Sequence, residues 1–460
     1  MNNLKSKAMA GSTVKVLLTD TNRWALSARL AISLSEAGCE VSALCPNPGH
    51  ALSKTRAVRR TFSYGGLHPL ASLTAAIDAV EPDIIVPSCD RGVGHLHELH
   101  AQAQSRGNAG SKLAALIERS LGSPASHSIV SSRYDLLALA RGEGVRVPNT
   151  SRVDTPEELD SWRARESFPW VLKVDGTWGG GGVKIVQTSD EVQQSFAQLA
   201  RMFRLGRAIK RLIVNRDAFW LRPWWNRSQR AVTAQSYIHG HPANCAVVCW
   251  QGSVLAGIAV EVVNSEGLTG PASVVRVVDN PEMMFAAERI ASRLSLSGFF
   301  GLDFMIEEGT GDAYLIEMNP RTTPLCRLRL GKGRDMPGAL WAQLANQPLA
   351  EAAPATQNEM IAYWPEACDS ELQELCFQDI PQGEPELVRE LLRPWPNRTL
   401  LFRLFNRLNR KQTSSKGAAR PGTPDHNRFK TYESPEDASH ETLGNPAKNA
   451  SPSHVRVRPV

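Results

Sequence analysis

The chain has 460 residues, of which 42% are hydrophobic and 21% are charged, and its formal net charge is +6. This length predicts two or three hydrophobic cores, and the composition is that of a soluble globular protein. Residues 411–460 hold eight Lys and Arg against five Asp and Glu, so this segment supplies half of the charge excess. The remainder is too mildly basic to indicate a nucleic-acid-binding protein, although it suits an anionic substrate.

Cysteine spacing and hydropathy favour a cytoplasmic protein. The eight cysteines contain no Cys-x-x-Cys pair and no zinc-finger spacing, which is typical of reduced, scattered thiols. Residues 1–12 are polar and lack the apolar core of a signal peptide. The most apolar stretch, residues 243–263, is interrupted by Gln251 and Gly252, so it favours a two-stranded hairpin over a membrane span.

Short apolar runs alternate with amphipathic segments in the first part of the chain. The pattern predicts strands at 14–19, 39–45 and 83–87 and helices at 24–37 and 70–80. Such alternation indicates a parallel sheet with crossover helices, and hence a first α/β domain at 13–120. The loops 19–22 and 88–91 follow strand ends, where sheets of this kind bind ligands.

A connecting helix at 131–141 leads into a second region. Strands dominate residues 170–321, with helices predicted near 190–203 and 281–294. We expect this second domain to span 121–335, followed by a helical region at 336–410. Residues 411–460 are rich in Pro, Ser, Gly, Asn and charge, which predicts a disordered tail. The tryptophan-rich segment 219–225 is interpreted as a hydrophobic packing loop, with a lid over substrate as the alternative.

A run of four glycines follows a predicted strand. Backbone N–H groups of Gly179, Gly180, Gly181 and Gly182 can form a concavity for phosphate oxygens, although a plain flexible turn is the alternative. The run matches neither the Walker P-loop nor the dinucleotide-binding motif. Lys173 lies in the preceding apolar strand, and a buried lysine requires an anionic partner. The segment therefore favours a polyphosphate ligand.

A second segment carries polar side chains at alternate positions. Glu317, Asn319 and Arg321 share one face of a predicted strand, while Ile316 and Met318 point the other way, into a core. The arginine fork suits phosphoryl oxygens. The alternative is a solvated strand face with a surface salt bridge.

Asp303 lies on the strand before this segment, and the Gly-Thr-Gly turn at 309–311 returns the chain alongside it. Two carboxylates and an amide oxygen are thereby gathered on one surface with the arginine. Mg²⁺ prefers such oxygen ligands and normally shares them with substrate phosphates. The second segment therefore predicts a site for metal-bound phosphate.

These two segments resemble the ATP-grasp superfamily, in particular the biotin carboxylase and carbamoyl phosphate synthetase branch of carboxylate-amine ligases. The resemblance covers roughly residues 13–335. It implies an α/β protein with a Rossmann-like N-terminal domain at 13–120 and a two-lobed ATP-grasp domain at 121–335. The tail at 411–460 stays disordered in this interpretation.

The resemblance also assigns individual residues. Lys173 and Arg321 act as catalytic cations beside the phosphates, and Arg133 stands where the family often has a phosphate-binding lysine. The remaining assignments are the hinge whose backbone recognises adenine (Gln235, Ser236, Tyr237, Ile238) and the metal ligands (Asp303, Glu317, Asn319). Many relatives carry Glu where this chain has Ser236, and arginine at 133 changes the geometry of the cation.

The activity implied is a ligase that uses ATP and Mg²⁺, with Mn²⁺ as a substitute metal. It would activate a small-molecule carboxylate as an acyl phosphate and join it to an amine, or less often a thiol, releasing ADP and phosphate. Separately, Arg276 is a candidate for holding a substrate carboxylate, and ion pairing is an equal alternative. Neither nucleic acid nor a membrane is an expected partner, and the sequence leaves homo-oligomer formation open.

The sequence also leaves open two other functions and a possible metal site. The chain could be a non-catalytic ATP-binding regulatory or scaffold protein, or it could bind nucleic acid through its basic tail. His95, His97 and His100 resemble a metal cluster, but their spacing on a helix does not put all three on one face. We therefore expect these histidines on a surface helix.

Overall fold

The computed structural model describes residues 13–22, 26–46, 49–175, 182–200, 232–265, 270–349, 353–367 and 372–393. All of these belong to one compact unit, residues 1–397. The segment 219–225 and the tail 411–460 lie outside the described residues. No helix in the described ranges has both the length and the apolar character needed to cross a membrane.

The N-terminal region forms a four-stranded parallel sheet in the order β3-β2-β1-β4. The strands are β1 (Lys15–Thr19), β2 (Glu40–Cys45), β3 (Val58–Ser63) and β4 (Ile84–Pro87), and the helices are α1 (Leu26–Glu36), α2 (Pro69–Val80), α3 (Asp90–Ser105) and α4 (Ser111–Leu121). Alternate residues of β1 serve two cores: Val16 and Leu18 join the α1 side, and Leu17 joins the side of α2 to α4. The predicted parallel α/β arrangement is confirmed.

Helix α3 corrects the expectation for the histidines. His95 and His100 are buried, because α3 packs against the sheet and α4 instead of facing solvent. His100 Nε2 lies 2.8 Å from Glu118 Oε1, and His97 stacks on His127 with ring centroids 3.8 Å apart. Among the described residues, no group of three or more His, Cys, Asp or Glu side chains is arranged to hold a metal alone.

A small antiparallel sheet in the order β5-β8-β6-β7 follows two connecting helices. Its elements are α5 (His127–Val130), α6 (Arg133–Gly142), β5 (Thr150–Val153), α7 (Pro156–Arg163), β6 (Trp170–Val174), β7 (Val183–Val186), α8 (Ser189–Ala200) and β8 (Val232–Ser236). Trp170, Leu172 and Ala234 pack with Leu159 and Trp162 of α7 on one face. Strand alternation therefore turns the next residues along β6 and β8 towards the other face.

A larger sheet of seven strands has the order β13-β12-β9-β10-β11-β14-β15. Its elements are β9 (Gly240–Trp250), β10 (Ser253–Ser265), β11 (Ala272–Val278), α9 (Pro281–Leu294), β12 (Gly298–Glu307), β13 (Ala313–Asn319), α10 (Met336–Ala345), β14 (Met360–Ala362), β15 (Phe377–Gln378) and α11 (Pro385–Leu391). The predicted hairpin is present as β9 and β10, joined at Gln251 and Gly252, which both have positive φ.

The expectation of a helical region after residue 336 is wrong in part. Helices α10 and α11 are present, but β14 pairs with β11 and so extends the large sheet, with β15 beyond it. The runs that form β14 and β15 contain three and two residues, too short for their periodicity to be recognised.

Candidate functional site

Two carboxylates face each other across the β12–β13 ladder. Asp303 is paired directly with Glu317, and the next pair is Phe304 with Leu315, so Ile316 is an extra residue in β13. Such a β-bulge shifts the alternation of side chains by one position. The bulge therefore puts Glu317 on the same face as Asp303 while Leu315 remains in the core.

The bulge also corrects the prediction that Ile316 points into a core. Ile316 is only partly buried, and Met318 is the buried neighbour of the acid pair. The carbonyl oxygen of Ile316 lies 3.4 Å from Lys173 Nζ, which belongs to the small sheet. The small sheet therefore contacts the large sheet at this point, and we refer to this junction as the cleft.

Asp303 is held by two amide side chains. Asn244, its cross-strand neighbour on β9, donates to Oδ1 at 2.7 Å, and Asn319 donates to Oδ2 at 3.0 Å. Burial and the charge of Glu317 nevertheless raise the pKa of Asp303 to about 6. The two hydrogen bonds donated to Asp303 therefore do not fully stabilise the negative charge of the acid pair. A bound cation would stabilise it further.

Arg133, the first residue of helix α6, bridges the two lobes. Its guanidinium donates to Glu317 Oε1 at 2.7 Å and to Asp175 Oδ1 at 3.0 Å, and its side chain is only 7% exposed. Asp175 immediately follows strand β6, at the start of the glycine segment. The linker helix is thus tied both to the acid pair and to the base of the glycine segment.

Arg321 lies just beyond the end of β13. Its Nη2 donates to Asn319 Oδ1 at 3.0 Å, and its Nε donates to Asp90 Oδ2 at 2.9 Å. Gly301, opposite Asn319, leaves room for this segment, because a Cβ there would lie 2.5 Å from Thr323 Cγ2. The predicted grouping of Asp303, Glu317, Asn319 and Arg321 is therefore present in the structure.

The cleft-facing side of the small sheet is polar and buried. Lys173 lies opposite Thr233 in the ladder, and Gln235 follows two positions along β8. Thr233 Oγ1, Gln235 Nε2 and Arg133 Nε are buried and have no hydrogen-bond partner among the described residues. Buried polar groups are normally paired, so this face of the small sheet is a polar environment with unmet hydrogen-bonding capacity among the described residues.

Among the predicted hinge residues, Gln235 and Ser236 end strand β8 and Tyr237 and Ile238 follow it, and two of their amides already donate within the protein. Ser236 N–H donates to Asn149 O at 2.9 Å, and Tyr237 N–H donates to Pro169 O at 3.3 Å. Those two amides are therefore not available to a ligand. The assignment of Ile238 to adenine recognition stays a prediction. Of the glycine run, Gly182 is described and buried, and its carbonyl accepts from Val174 N–H; Gly179, Gly180 and Gly181 lie outside the described residues.

Arg276 is not brought to the acid pair. Asp303 is paired with Asn244, Asn244 with Val260, and Val260 with Val277, so these four share a face of the large sheet. Arg276 is the neighbour of Val277 and therefore points to the opposite face. It lies 3.9 Å from Glu261, a separation that the ion-pair alternative predicts.

Comparison with known proteins agrees with this geometry. A family model described as the ATP-grasp domain matches residues 130–324. This range contains Arg133, Lys173 and the polar residues of β12 and β13 up to Arg321. The protein therefore contains an ATP-grasp domain. A search of curated protein sequences gave no match.

Solved structures show the same fold at low sequence identity. N5-carboxyaminoimidazole synthetase from Staphylococcus aureus, complexed with ADP, is 13% identical with a TM-score of 0.51 over 74% of this chain and 79% of that one. An L-amino acid ligase from Bacillus licheniformis is 14% identical with a TM-score of 0.51 over 72% and 75%. The biotin carboxylase domain of 2-oxoglutarate carboxylase from Hydrogenobacter thermophilus, in complex with MgADP, ADP and bicarbonate, is 15% identical with a TM-score of 0.50 over 74% and 71%.

Proposed function

We propose that the protein is an ATP-dependent ligase that activates a carboxylate as an acyl phosphate and joins it to an amine, or less often a thiol. The observation that carries the proposal is the direct pairing of Asp303 with Glu317, beside Lys173 of the opposite lobe and Arg133 of the linker helix. The same proposal includes domain limits at residues 120 and 335 and a role for each site residue. The identity of the acid and of the amine is left to experiment.

The donor set fits magnesium. Asp303 and Glu317 offer carboxylate oxygens on one face, and Asn319 offers an amide oxygen beside them. Two carboxylates do not enclose a metal, which suits an ion whose coordination is completed by phosphate oxygens. When bound, Mg²⁺ would supply positive charge that offsets the charge of the reacting phosphates.

The cleft opposite fits a nucleotide triphosphate. Lys173 is buried and the Arg133 side chain is only 7% exposed, so two largely desolvated cations lie here beside the polar side chains of Thr233 and Gln235. Charge interactions are strong in a cleft of low dielectric constant. Two such cations therefore suit an anion with several negative charges, such as polyphosphate. We assign Lys173 and Arg133 to the phosphates and the hinge at 235–238, through groups other than the Ser236 and Tyr237 amides, to the base.

The chemistry requires positioning and charge stabilisation from the protein. A substrate carboxylate oxygen would attack the γ-phosphorus, forming an acyl phosphate as the bond to the β-phosphate oxygen breaks. The amine would then form a bond to the acyl carbon, lose its proton and displace phosphate. Arg321 and Lys173 would hold the transferring phosphoryl oxygens, so no side-chain nucleophile is needed.

The proposal is tested by measuring ADP and phosphate release over a panel of amino acids, other carboxylates and amines. A ligase is expected to release ADP only when both an acid and an amine of the correct type are present. If the protein binds Mg-ATP but no pair in a broad panel stimulates ADP release, a non-catalytic ATP-binding protein becomes the better description.

Nucleotide affinity is expected to fall as the pH rises through about 8. Burial and the charge of Arg133 lower the pKa of Lys173 to about 8, although Glu317 and Asp303 act in the other direction. If only the charged lysine holds phosphate, affinity should drop about tenfold between pH 7 and pH 9. Titration of Mg-ADP between pH 6.5 and 9.5 measures this effect.

The matched variant for this prediction is Lys173→Arg, because arginine keeps its charge over the whole range. Its affinity for Mg-ADP should be nearly independent of pH, whatever its absolute value. A pH dependence shared by both proteins would assign the effect to another group.

A further inference from the structure

We infer that Asp90, from the N-terminal domain, is a positioning residue for Arg321. This inference rests on the proposed function, in which Arg321 acts beside the terminal phosphate. Asp90 Oδ2 accepts from Arg321 Nε at 2.9 Å, although the two residues are separated by 231 positions in the chain. The contact thus brings a carboxylate of one domain to a reactive cation of the other.

The contact is asymmetric in burial. The Arg321 side chain is 12% exposed, whereas that of Asp90 is 42% exposed. A largely buried guanidinium requires a counter-charge, which Asp90 supplies, whereas Asn319 Oδ1 and the Thr322 carbonyl also accept from Arg321 but are neutral. Burial lowers the pKa of Arg321, but the charge and the hydrogen bond of Asp90, together with the charges of Cys89 and Asp303, raise that pKa above its ordinary value. Asp90 therefore stabilises the charge of the arginine as well as its direction.

The backbone holds both residues in place. Asp90 is the first residue of α3, which begins just after Ser88 and Cys89 at the end of strand β4, and Thr322 N–H donates to the carbonyl of Pro87, the last residue of that strand. The end of β4 therefore contacts the 321–322 segment through the main chain as well as through the ion pair. These contacts fix the position of Arg321 Nε, which donates to Asp90, while Nη2 donates to Asn319. The two hydrogen bonds together set the plane of the guanidinium.

The alternative is that the ion pair only ties two domains together. The two interpretations differ in what removal of the carboxylate does to ligand binding. A positioning role predicts a selective loss of contacts to the terminal phosphate, since charge-assisted hydrogen bonds depend on geometry. A structural tie predicts lower stability and similar losses for every nucleotide.

The experiment compares equilibrium affinities of full-length protein for Mg-ADP and for Mg-AMPPNP, a non-hydrolysable triphosphate. Arg321→Met is expected to bind Mg-AMPPNP about 100-fold more weakly than wild type, and Asp90→Asn about 10-fold more weakly. Both should bind Mg-ADP within about twofold of wild type. The double variant should be no weaker than Arg321→Met, because Asp90 acts through the arginine.

Two controls accompany these variants. Asp78→Asn makes the same change at an exposed position on α2 of the same domain and should leave both affinities unchanged. Asp90→Glu restores the carboxylate and should recover part of the Mg-AMPPNP affinity. Thermal unfolding of each variant separates loss of folding from loss of binding.

The outcomes distinguish the inference from the function on which it rests. If wild type binds neither nucleotide, both are overturned. If wild type prefers Mg-AMPPNP but Asp90→Asn keeps that preference, or if the losses in the double variant add, the inference alone is wrong and Asp90 is a structural tie.

Discussion

Glu317→Gln is expected to reduce acceptor-dependent ADP formation by at least about 100-fold. The substitution keeps the shape of the side chain but removes one of the two carboxylates that face each other in the β12–β13 ladder. It also replaces the charged acceptor of Arg133, which remains held by Asp175. The loss should therefore reflect weaker metal binding and misplaced phosphate, and not collapse of the cleft.

The matched control is Glu308→Gln, an exposed position in the turn of the same hairpin. This variant should turn over like wild type. Titration of Mg²⁺ at fixed ATP should show that Glu317→Gln needs a far higher metal concentration for any residual activity. Wild-type turnover in Glu317→Gln would exclude a metal-binding role for that carboxylate.

The polar face of β13 was predictable because alternation places Glu317 and Asn319 together. The register that pairs Glu317 with Asp303 was not predictable, because it depends on the bulge at Ile316. An apolar run such as Tyr-Leu-Ile contains no residue that indicates a bulge. Simple alternation therefore predicts that Ile316 points into the core. The local pattern thus identified the right residues but not the geometry that joins them.

Long-range partners were missed for a related reason. Asp90 begins helix α3 and Asp175 follows strand β6, and their contacts depend on how the domain and the lobes pack, so nothing local connects them to Arg321 or Arg133. Asn244 could have been found, since a polar amide within an apolar strand carries the same signal as Lys173. The face on which Arg276 lies could not be predicted, because it depends on the registers of three successive strand pairs.

Asp303→Asn is expected to abolish turnover and yet to stabilise the protein in the absence of ligands. The folded-state pKa of about 6 lies above the ordinary 3.8, so the folded state binds the proton more tightly than the unfolded state. Its stability therefore falls as the pH rises from about 4 to about 6, and at pH 8 the charged carboxylate costs up to about 3 kcal/mol. Asparagine avoids this cost, but it can accept from only one of Asn244 and Asn319 at its single oxygen. The net gain should be about 1 to 2 kcal/mol.

Denaturant unfolding of both proteins at pH 8 and pH 4.5, without nucleotide or metal, measures the difference. The advantage of Asp303→Asn should be largest at pH 8 and shrink towards pH 4.5, because wild-type Asp303 is then largely protonated. Adding Mg-AMPPNP at pH 8 should stabilise wild type and leave the variant nearly unchanged, reversing their order. Asp78→Asn, exposed on α2, should show neither effect. A variant that is less stable than wild type at pH 8 would mean that the hydrogen bonds from Asn244 and Asn319 outweigh the cost of the buried charge.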